Sequence, residues 1–257
     1  MPLDAAALEC AVVRPGGLYR EVRATGHTGS TNADLVAAAR DGAAEGTVLV
    51  AEAQDAGRGR MGRTWVSPPR AALLFSVLLR PESVPAHRRG WLPLLTGAAI
   101  ASALRASAAV GASLKWPNDV LLRGRKLAGI LAEQAGGAIV IGAGINVTNQ
   151  PAELPPDTAT SLALSGAACT ARETLLVAVL GELELRYRRW LDDPGDPRVR
   201  SGYLELSDTV GRAVRVQLPG GTLLEGTAAD VDDLGRLVVR TASGETAVSA
   251  GDVVHVR

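Results

Sequence analysis

The chain has 257 residues, and its 27 Lys+Arg balance 27 Asp+Glu, so there is no global basic field for nucleic acid and any anion site must be built locally. With 47% apolar and 21% charged residues it has the make-up of a soluble globular protein, with room for one large domain or one large and one small. The start lacks the basic and apolar regions of a signal peptide, no window nears the roughly 18 apolar residues of a membrane span, and Cys10 and Cys169 share no ligand or disulfide spacing; these features predict a cytoplasmic protein with no membrane partner.

Residues 1 to about 24 are weakly patterned and are expected to be loosely ordered. In HTGSTNADLVAAARDG, Ser30 or Thr31 can cap a helix through Leu35 and Ala39, with Asp34 in its first turn and Gly42 ending it. TVLVAEAQ (47–54) reads as a strand leading into the glycine–arginine segment GRGRMGRTW. ALLFSVLLR (72–80) is a continuous apolar run of strand length, suited to burial on both faces, and 92–109 has helical spacing with small residues.

SLKWPND, VLLRGRKLAGILAEQ and GAIVIGAGINV then give three or four strands, with turns at Arg123-Gly124-Arg125 and at Gly136-Gly137. Thr170 and Glu173 form a capping-box pattern ahead of a helix through Leu175, Val179, Leu183, Tyr187 and Trp190, which Pro194 and Gly195 stop. From about residue 209 the texture changes to short alternating strands with regularly spaced turns, the pattern of a small β-barrel. The expected organisation is an α+β domain over 1–208, with antiparallel strand pairs in place of regular βαβ alternation, and a β domain over 209–257.

Gly57-Arg58-Gly59-Arg60-Met61-Gly62 matches G-x-G-x-x-G but lacks its context. A dinucleotide turn opens a helix, whereas this segment runs through Pro68-Pro69 into another strand, and no Walker A sequence is present. Arg58, Arg60 and Arg63 crowd like charge onto a glycine backbone, so the loop should be poorly ordered alone and should close around an anion. All but two of the basic residues are arginine; Lys115 and Lys126 are the exceptions, which points to positions that need a compact ammonium. Lys115, Asn118 and Asp119 flank a Trp-Pro pair and suit phosphate and magnesium handling. Gly129, and then Gly142 and Gly144 with Asn146, lie in strands where a ligand could approach the backbone.

TGSTN (28–32), EAQDAGRGRMGRTW (52–65), KWPNDVLLRGRKLAGILAE (115–133) and GAGINV (142–147), in this order, resemble the signature of the biotin protein ligases, and with the C-terminal β segment the resemblance runs from residue 27 onward. It implies a class II aminoacyl-tRNA synthetase-like catalytic domain with a mixed or antiparallel sheet and an SH3-like C-terminal domain. The implied substrates are biotin and ATP, with Mg2+. Biotinyl-5′-AMP forms first, and biotin then passes to a lysine of a biotin carboxyl carrier domain of an acyl-CoA carboxylase. By resemblance, Lys126 meets biotin's carboxylate and the α-phosphate, and Arg58, Gly59 and Arg60 close over the adenylate. Ser30, Thr31, Asn32 and Gln54 face the ureido ring, with Gly129 and Gly144 near the ligand. Arg60, Arg63, Lys115, Asn118 and Asn146 belong to the nucleotide side, with Asn118 as the metal candidate, and Asp119 orients or deprotonates the acceptor lysine. Some members of the family form homodimers.

Bifunctional members of the family carry an N-terminal DNA-binding arm of some sixty residues; here TGSTN starts at residue 28, and repression is not expected. Two alternatives carry a different chemistry: a lipoate or octanoyl ligase, against which the arginine loop argues, and a non-catalytic biotin sensor, against which Lys126 argues. A nucleic-acid role for the C-terminal domain is disfavoured by Asp230, Asp232, Asp233 and Glu245 and by the lack of a stacking platform.

Overall fold

The computed structural model describes residues 2–256. Seven strands build the first sheet: β1 (Glu21–Thr25), β2 (Thr47–Ala51), β3 (Ala72–Leu79), β4 (Ala112–Lys115), β5 (Asp119–Leu122), β6 (Arg125–Ala135) and β7 (Ala138–Asn146). Their order is β1-β2-β3-β7-β6-β5-β4. Only β1 and β2, joined through helix α2 (Thr31–Arg40), run parallel; every other neighbouring pair is antiparallel. The sheet is therefore mixed, as expected.

Both faces of the central strands are covered, which is why β3 and β7 read as continuous apolar runs. Leu73, Phe75, Val77 and Leu79 of β3, with Ile139, Ile141 and Ile145 of β7, pack toward helices α3 (Trp91–Ala108) and α4 (Arg172–Asp192). Each such side chain contributes about 1.5–3 kcal/mol by leaving water. The alternate residues Leu78 and Val140 join Leu49 beneath Leu35 and Ala39 of α2, but only toward one end of the sheet. The rest of that second face is left for a ligand.

Two local expectations are corrected. Residues 1–24 are expected to be loose, yet α1 (Ala5–Val12) is capped by Asp4, whose carboxylate accepts from the N–H groups of Ala6 and Ala7. Leu8, Val12 and Tyr19 are buried, and the Tyr19 hydroxyl donates to Leu180 O at 2.7 Å. This helix is too short to persist by propensity; Leu8 and Val12 join the main core, and the segment that follows is held by Glu184, which accepts from Leu18 N–H at 2.9 Å. The Thr170–Glu173 capping box does not form either. Helix α4 has Ala171 as its N-cap without a side-chain bond, and Glu173 accepts from the backbone N–H of Asp4 at 3.0 Å.

A short helix α5 (Pro197–Leu204) leads to the C-terminal antiparallel sheet of β8 (Ala213–Gln217), β9 (Leu223–Val231), β10 (Leu237–Thr241), β11 (Gly244–Val248) and β12 (Asp252–His255), in the order β11-β10-β9-β8-β12. It is fastened to α3 and to the β4–β5 turn by buried tryptophans: Trp91 donates to Asp233 O and Trp116 to Gly235 O, both at 3.0 Å. Among the described residues no helix is long and apolar enough to cross a membrane.

Candidate active site

Register places the site. Leu74, Gly144, Gly129 and Asp119 are successive partners across four strands, and the next row on the same face carries Ser76, Gly142 and Leu131. Three glycines in two rows strip the floor of side chains and leave a trough in an otherwise filled sheet. A Cβ at Gly142 would sit 2.0 Å from Asn32 Oδ1, and one at Gly144 would sit 2.5 Å from the Trp65 ring. These glycines are required by close approach.

Lys126 reaches the same trough through an irregularity. Between Val120 and Leu121 of β5 the register with β6 slips, so that Val120 faces Ala128 while Leu121 faces Lys126. The extra residue, Leu127, turns Lys126 and Gly129 onto one face although they are three positions apart. The Lys126 ammonium then lies 2.6 Å from Asp119 Oδ1 and 5.9 Å from the Trp65 ring centroid. Its backbone is pinned from the other side, where its N–H donates to Thr158 O at 2.8 Å and its carbonyl accepts from Thr160 N–H at 2.9 Å.

The arginine segment forms the roof. Instead of an ill-ordered loop it is a narrow hairpin, in which Trp65 N–H donates to Gly57 O at 2.8 Å and Gly59 N–H to Arg63 O at 2.7 Å. The like charges are offset by carboxylates from remote elements, which no local reading could supply: Arg58 meets Glu133 at 3.1 Å and Arg63 meets Asp252. Arg60 differs. Its guanidinium donates to Asn118 Oδ1 at 3.1 Å and to Gly251 O at 3.4 Å, and among the described residues it has no ion-pair partner. Burial lowers its pKa, opposed by the charges of Asp119 and Asp252, which act on it without direct contact. Hydrogen bonding to Asp252, by contrast, raises the pKa of Arg63.

The cavity between floor and roof measures about 120 Å³. Of the expected residues, Ser30, Thr31, Asn32, Gln54, Arg58, Gly59, Arg60, Arg63, Asn118, Asp119, Lys126, Gly129 and Gly144 line it together. Lys115 and Asn146 do not. Lys115 stands beside His255 at the junction of the two sheets, and buried Asn146 donates to Thr160 O at 3.0 Å behind Lys126. At one end of the cavity polarity is arranged by α2: Thr31 donates its N–H and hydroxyl to Gln54 Oε1 at 2.8 and 3.0 Å, so the oxygen of that amide is already engaged. Asn32 is wholly engaged with protein partners and supports the pocket wall.

Trp65, Ser76, Gly142 and Asp252 also belong to the site or its support. Only Trp65 and Gly142 lie within recognisable motifs; Asp252 has no local signal. The donor set does not fit a magnesium ion held by Asn118, whose carbonyl oxygen accepts from cationic Arg60 and whose amide donates to Ile130 O at 3.0 Å. Among the described residues no group of three His, Cys, Asp or Glu is placed to hold a metal.

Comparisons with known proteins identify the family. Residues 30–148 match the model of the Biotin/lipoate A/B protein ligase family, and residues 209–256 match the Biotin protein ligase C terminal domain. A biotin--[acetyl-CoA-carboxylase] ligase of Mycobacterium tuberculosis is 45% identical over 260 residues, covering 100% of this chain and 97% of that protein. The bifunctional ligase/repressor BirA of Bacillus subtilis is 33% identical, with 84% of this chain and 68% of that protein covered. Among solved structures, the Aquifex aeolicus biotin protein ligase in complex with biotin and ATP superposes with a TM-score of 0.76 at 26% identity, covering 93% of this chain and 100% of that one. The matched family models and the full-length relative lead to one conclusion: the chain belongs to the biotin protein ligase family.

Proposed function

We propose that this chain uses ATP to attach biotin to a lysine of a biotin carboxyl carrier domain. In the first step a biotin carboxylate oxygen attacks the α-phosphorus of ATP, and the bond to the departing pyrophosphate breaks, giving biotinyl-5′-AMP. In the second, the neutral amine of the acceptor lysine attacks the acyl carbon, and AMP leaves. Two anions must meet in the first step, so the main requirement is positive charge at both, held in place before they arrive.

The observation that carries this reading is a pair of cations in one trough: Lys126, held against Asp119, and Arg60, half-buried and with no carboxylate in direct contact among the described residues. Lys126 would meet the biotin carboxylate and the α-phosphate, and Arg60 the phosphate from above. Gln54 and Thr31 would bind the ureido ring. Asp119, 18% exposed and touching Lys126, would receive or orient the acceptor ammonium once pyrophosphate has left. Closure of the hairpin would keep water from the mixed anhydride. The architecture is of the class II aminoacyl-tRNA synthetase type with an SH3-like C-terminal domain, and the free thiols Cys10 and Cys169 suit the cytoplasm.

Pyrophosphate release should require biotin and ATP together. Lipoate offered in place of biotin should give none; release with lipoate alone would replace this reading with a lipoate ligase, and release with neither would remove the ligase reading altogether.

A further inference from the structure

The three roof arginines have different tasks. Arg63 is paired with Asp252, and Arg60 has only neutral partners, Asn118 and the Gly251 carbonyl. Arg58 points to β6, where its guanidinium lies 3.1 Å from Glu133 Oε1. The other oxygen of that carboxylate, Oε2, accepts from Asn32 Nδ2 at 2.9 Å. Asn32 is buried; its amide also donates to Leu131 O at 3.2 Å, and its Oδ1 lies 2.6 Å from Ser76 Oγ. Ser76 Oγ is in turn 2.7 Å from Thr31 Oγ1, which bonds Gln54. A single carboxylate thus ends a continuous chain of polar contacts that runs from Gln54 and Thr31, through Ser76 and Asn32, to the first turn of the hairpin.

The sequence explains why the chain can form. Glu133 follows Leu131 by two positions on β6 and so shares the trough face, while Gly142 leaves the space that Asn32 fills. A carboxylate meets both demands, accepting from an amide with one oxygen and facing a guanidinium with the other. A glutamine could keep the first contact but would set its NH2 against the donors of Arg58.

We propose that Glu133 is a positioning residue: it anchors the hairpin through Arg58 and orients Asn32 at the ring end, so that the ring pocket and the roof are set as one unit and Arg60 is the roof cation left for the reacting anions. This rests on the biotin-adenylating reading above. Arg58 accordingly serves as an anchor, not as a second phosphate ligand.

The test is a double-mutant cycle on pyrophosphate release. Breaking this partly exposed ion pair should raise KM for biotin about fivefold in Glu133→Gln and similarly in Arg58→Gln, with kcat within about twofold of the parent. Because both substitutions break one contact, the double variant should be no worse than either single one. Arg60→Gln should instead lower kcat, by the same factor with or without Glu133→Gln. An unchanged biotin KM in Glu133→Gln, multiplicative effects of the two substitutions, or a loss confined to kcat would each overturn the proposal. A second readout does not depend on the reaction: without any ligand, trypsin should cut at Arg58 and Arg60 faster in Glu133→Gln than in the parent, at an unchanged melting temperature. Equal cutting rates would overturn the anchor even if the parent proved to have another activity, whereas absence of biotin-dependent pyrophosphate release in the parent would sink only the adenylation reading.

Discussion

Lys126 Nζ lies 2.6 Å from Asp119 Oδ1, and both side chains stand over the glycine-floored rows of the sheet. This pair holds the ammonium in place before any substrate arrives. In the proposed reaction Asp119 would serve a second amine once the first step is over.

Replacing Lys126 with Ala removes the ammonium, and adenylation should fall by about 10²- to 10³-fold, the usual loss for one preorganised electrostatic group. The side chain is one-third exposed, so the fold should survive. Single-turnover pyrophosphate release, with circular dichroism as the folding control, measures both; near-parental turnover would remove Lys126 from the chemistry.

Asp119→Asn should separate the two steps. Adenylate formation should persist within about tenfold, while transfer from preformed biotinyl-5′-AMP to an acceptor lysine should fall by about 10²-fold, the scale of a lost proton acceptor. Rapid-quench measurement of the transfer step checks it. Equal losses in both steps would mean that Asp119 acts only by placing Lys126.

Gly144→Ala would put a methyl group 2.5 Å from the Trp65 ring, in the floor row shared with Gly129. The roof can shift where the sheet cannot, so overpacking of about 1–3 kcal/mol should appear as weaker biotin binding, with KM raised about tenfold or more, and not as unfolding. Titration calorimetry with biotin and a thermal melt distinguish the two. A variant that binds biotin normally would show that the ligand does not use this floor.

His255 gives a pH dependence at the junction of the two sheets. Burial lowers its pKa below the usual 6.5, reinforced by Lys115 and Arg212 and opposed by Asp208. Thr209 Oγ1 accepts from Trp116 N–H at 3.0 Å and also lies 3.0 Å from His255 Nε2. With the folded pKa below the unfolded one, the unfolded chain binds the proton more readily. The stabilisation is full above pH 6.5 and is lost as pH falls through the folded value. The melting temperature should therefore fall more steeply from pH 6.5 to pH 5 in the parent than in His255→Gln. Parallel slopes would contradict this.

Much of the fold was legible because periodicity reports burial directly. Leu73 to Leu79 and Ile139 to Ile145 announced strands covered on both faces, and Leu35 and Ala39 the inner side of α2. The site was legible where chemistry needs particular residues close together in the chain, as in the arginine hairpin, Asn118 with Asp119, and Lys126. Contacts made across long separations were not. Asp252 and Glu133 calm the roof from 189 and 75 positions beyond their arginines, and Asp4 takes Glu173 from its own helix cap across 169 positions. Lys115 stood out by rarity, but rarity carries no geometry, and β4 places it at the domain junction.

The electrostatic arrangement is tested most directly by a crystal structure of the chain with a non-hydrolysable analogue of biotinyl-5′-AMP. The Lys126 ammonium and the Arg60 guanidinium should both lie within hydrogen-bonding distance of the acyl-phosphate oxygens, with the 57–65 hairpin closed above them. A bound analogue with Lys126 still directed only at Asp119, and Arg60 still only at Asn118 and Gly251, would contradict it.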